Sequence, residues 1–164
     1  MSIHFICRGN MFRSRLAEGY LRKHLPQAII SSSGIDASNG LNGHICWYAQ
    51  CIADCHNFAQ HLSSTWTKTT QEHLQDADVI ITLDASITKD VLSRFTIPSH
   101  SNILSWNISD VEGVQHDYHH APQLLQEAGE NWNVLKTKLD AFIAFSLPLF
   151  VEEIQEGYTR HCQQ

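Results

Sequence analysis

The sequence predicts an α/β domain on a four-stranded parallel sheet flanked by helices, and three observations carry that expectation. Four short apolar runs recur along the 164 residues, helical patterns lie between them, and Cys7 follows directly on the first run. Folds of this kind bind ligands beyond the carboxyl ends of their strands, which is where Cys7 falls.

The runs are "IHFI" (3–6), "AIIS" (28–31), "VIIT" (79–82) and "NILS" (102–105). Each is short and apolar, as strands buried on both faces are. After the first, Leu16, Ala17, Tyr20 and Leu21 recur at helical spacing, and Pro26 follows the expected helix end. Further helices are expected over about 43–57, 67–76 and 86–95, with a long one near 121–147. Strands alternating with helices imply right-handed βαβ units and a sheet covered on both sides. The segment "SSSGIDASNGLNG" (31–43) has the composition of a flexible surface loop. No repeat, low-complexity tract or linker interrupts the chain, so residues 1–164 are expected to form one domain, with 147–164 as a helical C-terminal extension.

Composition narrows the function. The chain is 43% hydrophobic and 17% charged, an ordinary globular balance. A formal net charge of -6 supplies no broad basic face and argues against nucleic acid as a partner. The apolar stretch "AFIAFSLPLFV" (141–151) is too short for a bilayer and contains Pro148, so no membrane role is expected and a kinked or terminating buried helix is. Five cysteines (7, 46, 51, 55 and 162) form an odd set without framework spacing, and no basic region followed by a long apolar run opens the chain. Free thiols in a reducing cytoplasm are the expectation.

The loop after the first run holds the chemistry. In "CRGNMFRS" (7–14), Gly9 and Asn10 are the residue types that best tolerate left-handed backbone, so the loop can turn its N–H groups inward. A helix starting near Arg13 aims more N–H groups and its positive dipole end at the same point. The product is a nest for an anion of phosphate size, built from the backbone of Arg8, Gly9, Asn10, Met11 and Phe12, with Arg13 closing it by a bidentate fork and Ser14 donating to the cysteine sulfur. Cys7 at the base is then a stabilised thiolate facing phosphorus. A Walker-type loop is excluded because no Gly-Lys-Ser/Thr follows. The bland reading of the pattern is a buried free cysteine beside a surface arginine.

The stretch "FICRGNMFRSRLAEGYLR" resembles the signature loop and first helix of the low-molecular-weight protein tyrosine phosphatases. Further on, "SSGI" (32–35), "FAQHLSSTWT" (58–67) and "DADVIITLD" (76–84) resemble that family's second-strand end, histidine-containing segment and third strand. The resemblance implies a three-layer, phosphotyrosine phosphatase I-like fold and a phosphatase that works through a phosphocysteine, with no cofactor and no metal. It implies Cys7 as nucleophile and Arg13 as clamp on the transition state. Ser14 becomes the thiolate's hydrogen-bond donor, and Asn10, Ser32 and His61 the polar support of the loop. The substrate it implies is a phosphorylated protein or small aryl phosphate, with inorganic phosphate or a similar oxyanion as ligand.

Several positions depart from the family pattern. The general acid normally sits in a late Asp-Pro pair. Here "SWNISDVEG" (105–113) puts Asp110 after the last strand with Val111 in place of proline, and Asp117 in "QHDYHH" is the second candidate. Asp110 is favoured because reach to the leaving group comes before acidity. Phe12 stands where many members carry a second cysteine that traps the oxidised nucleophile, so oxidation of Cys7 should run further up the sulfur ladder. Met11 is apolar where protein-arginine phosphatase relatives carry threonine, which leans towards an aromatic substrate. Arg8 and Arg15 are unusual, and either enrich anions at the mouth or are simply solvated. Trp47 and Tyr48 are the available aromatic wall, with core burial as the alternative.

Two other chemistries are open to the chain. His44, Cys46, Cys51, Cys55 and His56 hold metal-ligand types, but without a zinc-type Cys-x2-Cys pair packed helix cysteines are expected instead. Thiol-linked arsenate reductases share the loop but need redox cysteines after the third strand, and "ITLDASITKDVL" has none. A non-catalytic phosphate or phosphopeptide binder is the remaining alternative, motivated by the changes around Asp110.

Overall fold

All four apolar runs form strands. The computed structural model describes residues 1–38, 45–111, 118–146 and Pro148. Strands β1 (Ser2–Cys7), β2 (Ile29–Gly34), β3 (Val79–Thr82) and β4 (Asn102–Ser105) make one sheet in the order β2-β1-β3-β4, every pair parallel. The helices are α1 (Arg13–His24), α2 (Trp47–Cys55), α3 (Gln71–Gln75), α4 (Ala85–Arg94) and α5 (Ala121–Ala141).

Period-two alternation along the strands decides what each face meets. Phe5 packs its ring on Trp106, which meets Phe142 just beyond α5. Tyr20 of α1 meets Trp132 of α5 edge-on, and its hydroxyl donates to Asp140 at 2.6 Å, so α1 and α5 share that layer. On the other face His4 stacks on His73 of α3, and Thr82 Oγ1 lies 2.6 Å from Thr88 Oγ1 of α4. The result is three layers around a core that includes Ile3, Phe5, Leu16, Val79, Ile81 and Trp132.

Three elements differ from expectation. Strand β2 runs on to Gly34, through residues whose polarity suggested a loop, because Ser31 and Ser33 face His4 at 2.7 Å each. Helix α3 is shorter than 67–76: Lys68 bridges to Gly34 and the Thr69 N–H donates to the Gly34 carbonyl, so the chain runs extended until Thr70 and His73 cap the helix. Helix α2 starts at Trp47 rather than 43. Residues 39–44 with His44, residues 112–117 with Asp117, and the expected extension apart from Pro148, with Cys162, lie outside the described residues. No helix among the described residues is long and apolar enough to cross a membrane.

Candidate active site

Cys7 is the last residue of β1, and the chain then curls through residues 8–12 into the first turn of α1. Asn10 takes the left-handed conformation (φ 55°) the curl requires. That backbone state costs about 1–2 kcal/mol for an ordinary side chain, and Asn10 offsets it with its own amide. Its Nδ2 donates to Ser14 Oγ (2.9 Å) and Ser32 Oγ (2.8 Å), while its Oδ1 accepts from the Thr67 N–H (2.8 Å). The Asn10 N–H donates to Cys7 Sγ at 3.1 Å, and Ser14 Oγ lies 3.0 Å from the same sulfur. Gly34 is needed beneath the loop, since a Cβ there would meet Asn10 N and Gly9 C at 2.7 Å each.

Behind this loop sits a buried charge cluster that the sequence did not announce. Glu18 is 1% exposed and accepts from Ser32 Oγ (2.7 Å), Arg22 (2.6 Å) and Ser63 Oγ. Arg15, also 1% exposed, pairs with Glu18 and donates to the carbonyls of Thr65 and Ser63. Burial draws the Arg15 guanidinium below its ordinary pKa, against the pull of Glu18. The expectation of Arg15 at the mouth or in solvent is therefore overturned: it staples residues 63–65 to α1. His61, expected to support the loop, makes no side-chain hydrogen bond to it among the described residues. Its carbonyl accepts from Arg22 at 3.3 Å, and Ser63, Thr65 and Thr67 of the same segment hold the loop instead. Glu18 had one legible signal, its spacing of three and four residues from Arg15 and Arg22 on a helix.

Arg13 closes the far side. Its Nη1 donates to Asp84 Oδ2 (2.9 Å) and the Ile108 carbonyl (3.0 Å), its Nη2 donates to Asp110 Oδ2 (2.5 Å), and its buried Nε has no partner. Burial lowers its pKa, but Asp110, Cys7 and Asp84 together raise it beyond the ordinary value, so the guanidinium is a fixed cation. Asp84 was also missed. It caps α4 by accepting from the Ile87 N–H (3.0 Å), and although burial raises its pKa, bonds from Ser86, Ile87 and Arg13 hold the carboxyl below the usual range. Its place directly after the third strand and before a helix was the readable sign.

These groups surround a cavity of about 230 Å³. Cys7, Arg13 and the partly exposed Asp110 line it together with the apolar Met11, Phe12, Tyr48 and Val111. Phe12 and Tyr48 meet edge-on at 5.3 Å. Of the two aromatic candidates Tyr48 lines the cavity, whereas Trp47 is not among the lining residues and is 40% exposed. Arg8 lines the cavity too, but its guanidinium donates to Asp36 (2.8 Å), Asp90 (2.6 Å) and Ser86 (3.1 Å), so its charge is neutralised rather than offered to an anion. The expected packed cysteines of α2 are split: Cys46 is buried against the cavity, and Cys51 and Cys55 are exposed.

A thiol that accepts the Asn10 N–H and shares its cavity with a fixed guanidinium is an arrangement for attack on a tetrahedral oxyanion, and comparisons with known proteins agree. Residues 2–138 match the profile of the low molecular weight phosphotyrosine protein phosphatases. The low molecular weight protein-tyrosine-phosphatase PtpB of Staphylococcus aureus is 30% identical over 100 residues, covering 61% of this chain and 68% of that protein. In fold, the chain resembles a low molecular weight protein tyrosine phosphatase of Bacillus subtilis (TM-score 0.64, 18% identity, 89% of this chain and 99% of that one). It also resembles the tyrosine phosphatase Wzb of Escherichia coli, solved with sulphate (TM-score 0.61, 21% identity, 86% and 97%). With the profile spanning most of its length, this chain belongs to the low molecular weight phosphotyrosine protein phosphatase family.

Proposed function

We propose that the chain hydrolyses aryl phosphate monoesters, phosphotyrosine in proteins among them, through a phosphocysteine at Cys7. The dianion enters the nest formed by the backbone of residues 8–13. Its oxygens take up Arg13 Nε and Nη2, replacing Asp110 on the latter. Cys7 attacks phosphorus in line, while the N–H groups and Arg13 stabilise the equatorial charge. Asp110, released from Arg13 and protonated from solvent, gives that proton to the leaving oxygen and then, as a base, activates the water that breaks the sulfur–phosphorus bond. Ser14 and Asn10 hold the sulfur as the anion it must again become.

One observation carries the reading: Cys7 Sγ accepts from the Asn10 N–H, and Cys7 and Arg13 line the same cavity. The aromatic preference follows from Met11, Phe12, Tyr48 and Val111, which offer a phenol ring an apolar side and an alkyl phosphate little to hold. A thiol nucleophile suits a reducing, cytoplasmic setting.

Hydrolysis of para-nitrophenyl phosphate in EDTA by wild type, Cys7→Ser and Asp110→Asn tests it. Turnover should vanish with Cys7→Ser and fall about 10²–10⁴-fold with Asp110→Asn. Activity that survives Cys7→Ser sinks the reading. So does a fully reduced wild type that binds phosphate without turnover, which would make the chain a binding module.

A further inference from the structure

Two cysteines, Cys7 and Cys46, line the cavity. Cys46 precedes α2, and its N–H donates to the Met11 carbonyl at 3.1 Å, which seats the start of that helix on the phosphate loop. The residue is 4% exposed and lines the same cavity as Cys7. Cys51 and Cys55 lie further along α2, exposed. Among the described cysteines Cys46 is thus the one that lines the nucleophile's cavity, and Phe12, beside it, supplies no thiol.

We propose that Cys46 is the resolving thiol for oxidation of Cys7 by hydroperoxides, forming a reversible Cys7–Cys46 disulfide. The Cys7 thiolate attacks the peroxide, the O–O bond breaks, hydroxide or alkoxide leaves, and the sulfur is oxidised by two electrons to a sulfenic acid. Cys46 sulfur then attacks Cys7 sulfur, and the S–O bond breaks. The Cys46 proton departs with the hydroxyl group as water. An external dithiol reverses the step and is itself oxidised to a disulfide.

The surroundings suit this division of labour. Burial pushes the Cys46 thiol up to about 11, against a hydrogen bond with Tyr48. Cys46 therefore stays protonated while Cys7 is reduced, and does not compete for the oxidant. Because the attacking species is the thiolate, disulfide formation should quicken as pH rises. The proposal shares with the function proposed above a reactive Cys7 sulfur, but not turnover of a phosphate ester.

The test treats the reduced full chain with hydrogen peroxide, with and without inorganic phosphate, then alkylates it and maps peptides by mass spectrometry. The expected product is lighter by two hydrogens and yields a Cys7–Cys46 linked peptide. Dithiothreitol should restore most of the starting para-nitrophenyl phosphate activity, and phosphate should slow the oxidation. In Cys46→Ala, Cys7 should instead reach sulfinic or sulfonic acid, and the loss, relative to that variant's own untreated activity, should not reverse. A Cys51→Ser, Cys55→Ser double variant should respond as wild type does. Cys7 linked to any other cysteine, or Cys46→Ala recovering as fully as wild type, overturns the proposal. If Cys46→Ala fails to fold, the wild-type peptide map alone decides. The map needs no turnover, so an inactive wild type that still forms the disulfide defeats the phosphatase reading and leaves this one standing.

Discussion

Two polar clusters are buried against strand β1, and only one of them opens into a cavity with donors to spare. In the amino half, His4 bridges Ser31 and Ser33 at 2.7 Å each, and Ser33 continues to Thr69 at 2.7 Å. At the carboxyl end, Cys7 lies between the Asn10 N–H and Ser14. By residue type the first cluster is the more suggestive, a hydroxyl beside an imidazole. Both imidazole nitrogens there are occupied, and Ser33 and His4 are sealed from solvent. The second keeps Arg13 Nε unpartnered and faces a cavity. A buried polar pair is a structural device when its hydrogen bonds close on themselves; donors left over around an opening make it a site.

Acid separates the two most strongly. Burial, with the charge of neighbouring His73 second, lowers the His4 pKa from 6.5 to about 3. Between those values the unfolded chain binds the proton and the folded one does not. The stabilisation is therefore whole above pH 6.5 and is lost as pH falls from 6.5 towards 3, by roughly 4–5 kcal/mol in all. Urea unfolding across that range should show the slope, and His4→Gln, which keeps polar contacts but cannot titrate, should flatten it. An unchanged slope would mean that His4 is protonated in the fold, and the closed cluster would be a charged one.

Next in size is the charge behind the loop. Glu18→Ala leaves Arg15 buried without its counterion, a loss of about 3–5 kcal/mol. The lowered urea midpoint should come with reduced turnover at temperatures where the chain is still folded, since Ser32 and Ser63 lose their acceptor together. A variant as stable as wild type would show that the loop stands without this support, and the contrast between a buttressed site and a self-contained cluster would fail.

Asp84→Ala should act less and in two ways. It removes the cap of α4, about 0.5–2 kcal/mol of stability, and one of the carboxylates that aim Arg13. Arg13 keeps Asp110 and the Ile108 carbonyl, so kcat should fall more than tenfold only if Asp84 sets the angle of the guanidinium. Asp84→Asn, which retains the cap, divides the effects: stability restored with activity still low assigns the rate loss to positioning.

How much of this was legible follows from the reach of each contact. Strands β1 and β3, continuous apolar runs at the sheet centre, announce themselves, and Cys7, Arg13 and Ser14 fall within one turn of chain. Strand β2 was cut short because Ser31 to Ser33 look like loop residues until His4, Asn10 and Glu18 are set beside them. Glu18 reads as an exposed helix acid until Ser63 arrives from 45 residues away, and Asp84 meets Arg13 across 71. Arg8 shows the opposite limit: it follows Cys7 in the chain, but its guanidinium is claimed by Asp36 and Asp90 from far along the sequence.

The smallest effect bears on what the site does with its spare donors. Asp110 occupies Arg13 Nη2, and a phosphate dianion that binds that nitrogen must displace it. Asp110 thus opposes binding as a carboxylate and, once protonated, supplies the proton, two roles that Asp110→Asn separates. The neutral amide removes a negative charge from the rim, where the residue is 33% exposed. At that exposure the relief is worth no more than about 1 kcal/mol, or about fivefold in affinity. Inhibition by inorganic phosphate should therefore tighten by up to that factor in Asp110→Asn while kcat collapses. Weaker phosphate inhibition would mean that Asp110 positions Arg13 for the anion rather than competing for it. The rim would then belong, with Asn10 and Glu18, to the machinery that holds the nest.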